Sequence, residues 1–153
     1  MPWALAPALT VFAGLGIELA VIDVRTHRLP DAILLPGAGA VIVLLAGAAV
    51  VTGTPDRALG LAGGAAASFA ACLAVHLARP DAFGGGDVKL AGLCGAVLGW
   101  VGPEAVASGI ALGFVAGGAA ATGVVLSGAR GASIAFGPFL LAGTWGRLLA
   151  GPW

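Results

Sequence analysis

The chain is a succession of long apolar runs separated by breaks of a few polar residues. That pattern leaves little choice of fold. A hydrocarbon core about 30 Å thick is crossed by roughly 20 apolar residues in a helix. Inside it, backbone polar groups must be paired within the segment that carries them. The runs fall at residues 3–23, 32–52, 58–78, 88–101, 104–127 and 132–149. They predict an all-α, polytopic membrane protein of about six transmembrane helices. Residues 1–153 then form a single transmembrane domain, with almost nothing left for an extramembrane one. The run at 88–101 covers only about 21 Å as a helix, so it is expected to tilt little, to meet a thinned bilayer or to begin below the interface.

Polar residues are few enough to be weighed singly. Charged residues make up 9% of the chain, against about a quarter in soluble domains. Formal net charge is zero and no basic run exists, so nucleic acid is not an expected partner. Cys72 and Cys94 lie in apolar runs without a CxxC, which supports neither a disulfide framework nor a zinc ribbon. No Lys or Arg precedes the first apolar run, so it is expected to stay in place as a span rather than to be cleaved as a signal peptide. Arg25, Arg28, Arg79, Lys89 and Arg130 fall at the first, third and fifth breaks, whereas Arg57 and Arg147 fall on the other side. Basic residues concentrate in cytoplasmic loops, so the odd-numbered breaks are expected in the cytoplasm.

The acidic residues carry the chemistry, because a charge in or beside a span is costly. Asp23 closes the first run and Asp87 opens the fourth, which puts both at the same predicted membrane edge. Two carboxylates in one site share a proton and titrate as a unit. Such a pair hydrolyses a peptide bond without a covalent intermediate: the ionised partner takes a proton from water while the protonated one hydrogen-bonds the carbonyl oxygen. Gly84, Gly85 and Gly86 directly precede Asp87. Residues without a Cβ let a substrate backbone approach and permit unusual dihedrals. Asp87 also suits the N-cap of the fourth span, and the two roles are compatible. A phosphate-binding loop is disfavoured, because no GxxxxGK[ST] is present.

The stretch "DVRTHRLPD" (23–31), the stretch "FGGGDVKLAG" (83–92) and "IAFGPFLLAG" (134–143) together resemble the type IV prepilin peptidase family of GxGD aspartic peptidases. The resemblance runs through nearly the whole chain in order and spacing. It implies that Asp23 and Asp87 are the catalytic pair. Gly84 and Gly86 match the GxGD glycines, and Lys89 matches a common family lysine that balances local negative charge or snorkels to the interface. It further implies cleavage of leaders from prepilin-like precursors, after a Gly just before a hydrophobic segment. That chemistry would take place at the cytoplasmic face of the plasma membrane, with no metal or other cofactor. The cysteine-bearing insert linked to N-methylation in longer members has no counterpart here, so the chain is similar to the short, peptidase-only form. Presenilin-like proteases share GxGD, but their Tyr-Asp and Pro-Ala-Leu partners are missing, and the chain contains no Tyr.

The other polar residues carry structural expectations. Glu18 lies five residues before Asp23, about 140° away around a helix; it is expected to be a buried carboxyl, neutral or hydrogen-bonded between helices. Asp31 is expected to N-cap the second span. Asp56 and Arg57 are expected to play no chemical part, and Asp81 is a candidate for shaping the substrate entrance. Cys72 and His76 share a helix face, but with no third ligand they are expected to be packed core residues. Gly63, Gly64, Gly113, Gly117 and Gly118 are spaced for close helix packing within the molecule. The competing functional class is a non-enzymatic polytopic subunit, a transporter component or pilus-assembly scaffold, in which Asp23 and Asp87 would be interfacial charges or ion ligands.

Overall fold

The computed structural model describes residues 2–80, 83–128 and 134–151. Among them, a short 3-10 turn at Pro2–Ala4 is followed by six α-helices and no strand. The helices are α1 (Ala6–Thr26), α2 (Asp31–Val51), α3 (Pro55–Ala78), α4 (Gly85–Val101), α5 (Pro103–Leu126) and α6 (Gly137–Ala150). Four of them, α1, α2, α3 and α5, are long and apolar enough to cross a bilayer. Prolines sit at the first or second helical position of α1, α3, α5 and α6, where a missing N–H breaks no intrahelical bond. At the end of α1, His27 takes the left-handed conformation (φ 52°), and its N–H donates to the Asp23 carbonyl at 2.7 Å.

The boundaries shift the candidate residues. α1 runs on to Thr26, so Asp23 lies within its last turn rather than at its end. α6 begins only at Gly137; residues 134–136, expected inside the last span, lie outside any helix. Asp81 and Arg130 lie outside the described residues.

α4 is the axis of the molecule. Nearly every residue from Asp87 to Trp100 is buried, and α2, α3, α5 and α6 all pack against it. This explains how a helix of only 17 residues is accommodated: from Asp87 to Trp100 it is covered almost entirely by protein, so that stretch need not match the hydrocarbon thickness. α1 packs on α2 and α6. The closest seam joins α3 and α4. A Cβ on Gly60 or Gly64 would run into the carbonyls of Gly99 and Gly95, and the reverse also holds. These two small-xxx-small pairs let the backbones touch. The antiparallel register they set, continued along the helices, puts Cys72 level with Asp87 and Val75 level with Gly84. Asp87 therefore lies about 9 Å short of the end of α3, so the fourth helix begins below the end of that neighbour, whereas α2 begins level with Lys89, inside α4.

The spacing reading of Gly113 and Gly117 matches their packing, since Gly113 abuts Leu140 and Gly117 abuts the Phe136 ring. Gly64 is in the α3–α4 seam, whereas Gly63 and Gly118 meet nothing within 4 Å. The expectation for Glu18 is corrected. It is exposed on the outer face of α1, whereas Asp23 is buried. The rotation of about 140° between them requires this: once Asp23 faces the bundle, Glu18 faces away. At the end of the bundle remote from Asp23 and Asp87, Arg57 donates to the carbonyls of Trp100 and Val101. It lies over the Trp100 ring, and so serves the open C-terminus of α4.

Candidate active site

Asp23 and Asp87 arrive from different helices and line one pocket of about 300 Å³, together with His27, Arg28, Leu29 and the three glycines 84–86. The last turn of α1 and the first turn of α4 meet there, at one end of the bundle. Both carboxylates are buried, at 4% and 9% exposure, and each is gripped by a backbone N–H.

For Asp23 the donor is Gly137, the first residue of α6, whose N–H reaches Oδ2 at 3.0 Å. An unsatisfied N–H at a helix N-terminus is a ready donor to an anion. The approach demands glycine: a Cβ on Gly137 would stand 2.8 Å from that same oxygen. The Phe-Gly-Pro-Phe stretch at 136–139 thus has a task in the site that its sequence does not disclose.

For Asp87 the donor is Gly84. Asp87 is the third residue of α4, with Gly84 as the N-cap, so the expected N-cap role is corrected: the carboxylate reaches back and accepts the Gly84 N–H at 3.2 Å. This is the returning half of a capping box. Asp87 Oδ1 is buried and, among the described residues, has no hydrogen-bond partner. An unpaired buried oxygen at a pocket calls for an explanation.

The glycines ahead of Asp87 divide their work. None of the three has positive φ, so conformational licence is not what they supply. Gly86 is needed for packing, because a Cβ there would lie 2.8 Å from the Leu29 Cβ. Gly84 and Gly85 are exposed and leave an open backbone surface beside the pocket.

His76 is corrected from core filler to a loop partner. It is half-buried on α3, and its Nδ1 lies 2.6 Å from the Phe83 carbonyl oxygen. A carbonyl only accepts, so Nδ1 carries the hydrogen. Phe83 itself is buried against Phe114 and Phe136, with ring centroids 5.7 and 5.1 Å apart. The residue before the glycines is therefore fixed at both backbone and side chain. Cys72 is buried as expected. Among the described residues, no three His, Cys, Asp or Glu side chains are grouped as metal ligands.

Lys89 is not in the pocket lining. Its Nζ contacts both oxygens of Asp31, at 2.7 and 2.6 Å. Asp31 is the first residue of α2 and makes no cap bond; its predicted N-cap role gives way to this ion pair, which links α2 to α4 at the rim. Both side chains are well exposed, so the pair contributes about 1 kcal/mol at most.

Comparison with known proteins adds one match. The model of the type IV leader peptidase family matches residues 10–122, a stretch that contains Asp23, the glycine turn and Asp87. Neither the curated proteins nor the solved structures give a match.

Proposed function

The chain belongs to the type IV leader peptidase family, and on that premise we propose that it is a membrane-embedded aspartic endopeptidase whose catalytic pair is Asp23 and Asp87. The observation that carries this reading is the shared pocket: two buried carboxylates, each held by one backbone N–H, at one end of the helix bundle.

The pair holds one proton between its members. We place it on Asp87, whose Oδ1 lacks a donor. Asp23, ionised and fixed by Gly137, takes a proton from water as the water oxygen attacks the scissile carbonyl. Asp87 gives its proton to the carbonyl oxygen, forming a neutral gem-diol. Collapse returns that proton to Asp87, and Asp23 passes its proton to the departing amine. Both groups end as they began, and no cofactor enters.

The substrates in this reading are prepilin-like precursors, of type IV, Flp/Tad or related kinds, cut at the cytoplasmic face of the plasma membrane. Co-expression with a candidate precursor, followed by mass measurement of its leader, tests the reading. Asp23→Asn and Asp87→Asn should each abolish cleavage, a loss of at least about a thousandfold, while the protein remains in the membrane. Full cleavage by either variant would remove that residue from the catalytic pair.

A further inference from the structure

His27 is an unexpected residue for the backbone it occupies. It ends α1 in the left-handed conformation, at φ 52°. Among the described residues it is the only non-glycine with positive φ. Helices commonly end on such a residue, and glycine is the usual choice because it has no Cβ. A side chain kept where glycine would cost less raises the question of what it does. The answer lies in the pocket, because His27 lines the same cavity as Asp23 and Asp87.

Two relations tie His27 to Asp23. The His27 N–H donates to the Asp23 carbonyl at 2.7 Å, so one helical turn joins them, and side chains four apart meet on one helix face. The two side chains also interact by charge. The end of α1 adds to this, since the open carbonyls of a helix C-terminus favour a cation.

The other charges around His27 are accounted for. Arg28 lines the pocket beside it, and Asp87 faces it from α4. On α2, Asp31 is paired with Lys89 of α4. On α3, His76 is committed to the Phe83 carbonyl. α6 carries Arg147 only in its last turn, away from Gly137. Arg25 is exposed and lies about 200° around α1 from Asp23.

We infer that His27, as an imidazolium one turn beyond Asp23, holds Asp23 in its ionised form and so decides which member of the pair is the base. This deepens the peptidase reading and rests on it. A cation beside a carboxyl favours the carboxylate. The shared proton is then left to Asp87, the placement that its donorless Oδ1 also supports. His27 acts through Asp23 and is a positioning residue. The direction of its effect follows. As pH falls, Asp23 is protonated and the attacking water loses its base. Without the cation this happens at a higher pH. Imidazole is cationic in the mildly acidic range where such a limb lies.

The test uses the full chain in bilayers with a candidate precursor. His27→Asn removes the charge, and asparagine tolerates the left-handed turn. His27→Arg keeps the charge. The acid limb of kcat/KM should move up by about half a pH unit or more in His27→Asn; the shift is modest because His27 is exposed and solvent screens it. In His27→Arg the limb should stay where the wild type has it. Carbon NMR of labelled aspartate carboxyls, with Asp23→Asn to assign the signal, should show the same displacement of the Asp23 titration without substrate. An unmoved limb in His27→Asn, even with a lower rate at every pH, would overturn the role of His27. So would an equal displacement in both variants. Either result leaves the peptidase reading standing. Failure of the wild type to cut the precursor would overturn the peptidase reading and this inference with it.

Discussion

The Asp23 carboxylate accepts the Gly137 N–H at 3.0 Å, across 114 residues of chain. One end of α6 thereby fixes the orientation of a group at the other end of the sequence. Because a Cβ at Gly137 would stand 2.8 Å from Asp23 Oδ2, Gly137→Ala must push the carboxylate aside or pull α6 away. Leader cleavage is expected to fall about a hundredfold, the scale of an ångström-level misplacement, with insertion unchanged. Wild-type rates in this variant would show that Asp23 needs no such anchor.

His76 acts through the loop, so it is a positioning residue. His76→Ala removes the donor to the Phe83 carbonyl and loosens the turn that carries Gly84 and Gly85. The expected result is a fall of about tenfold or more in kcat. His76→Asn, which keeps an N–H donor of similar reach, should recover part of it. Equal loss in both variants would instead point to a need for the imidazole ring itself.

Gly95 and Gly118 make a matched pair. A Cβ on Gly95 meets the Gly64 carbonyl and the Ser68 side chain, whereas nothing lies within 4 Å of Gly118. Gly95→Ala should destabilise the protein by about 1–3 kcal/mol or more through overpacking, read as a lower melting temperature in detergent. Gly118→Ala should melt as the wild type does or slightly higher, since alanine favours helix. Identical melting of the two variants would contradict the close α3–α4 seam.

Glu18 faces outward from the middle of α1, away from the pocket. Glu18→Leu exchanges a polar group that is costly in hydrocarbon for an apolar one. Cleavage should be unchanged and thermal stability in bilayers should rise. A loss of activity would tie Glu18 to the catalytic pair despite its position.

Much of this architecture was legible in the runs of apolar residues. All six helices lie where those runs are, because chain length and the need to pair backbone groups leave few other arrangements. The meeting of Asp23 and Asp87 was also legible, since one closes an odd-numbered span and the other opens an even-numbered one. Local readings failed where a distant partner decided the outcome. Asp31 looked like a cap until Lys89, on another helix, took its charge. His76 looked like core because helix periodicity gives the face of a residue but not which loop carbonyl folds onto it. The role of Gly137 depends on an approach between α1 and α6 that no spacing within either helix encodes. Glu18 is the reverse case: its angular offset from Asp23 separates it from the pair and, once Asp23 is buried, also turns it outward.

The burial of α4 separates the two acids of the proposed pair by what they feel. A change in bilayer thickness acts on helices that touch lipid, altering their tilt to relieve hydrophobic mismatch. Asp87 rides on α4, buried from there to Trp100 almost without a break, and Asp23 on α1, whose outer face is exposed. In the peptidase reading, bilayers of different lipid chain length are expected to shift Asp23 relative to Asp87, and cleavage rates measured across such bilayers check it.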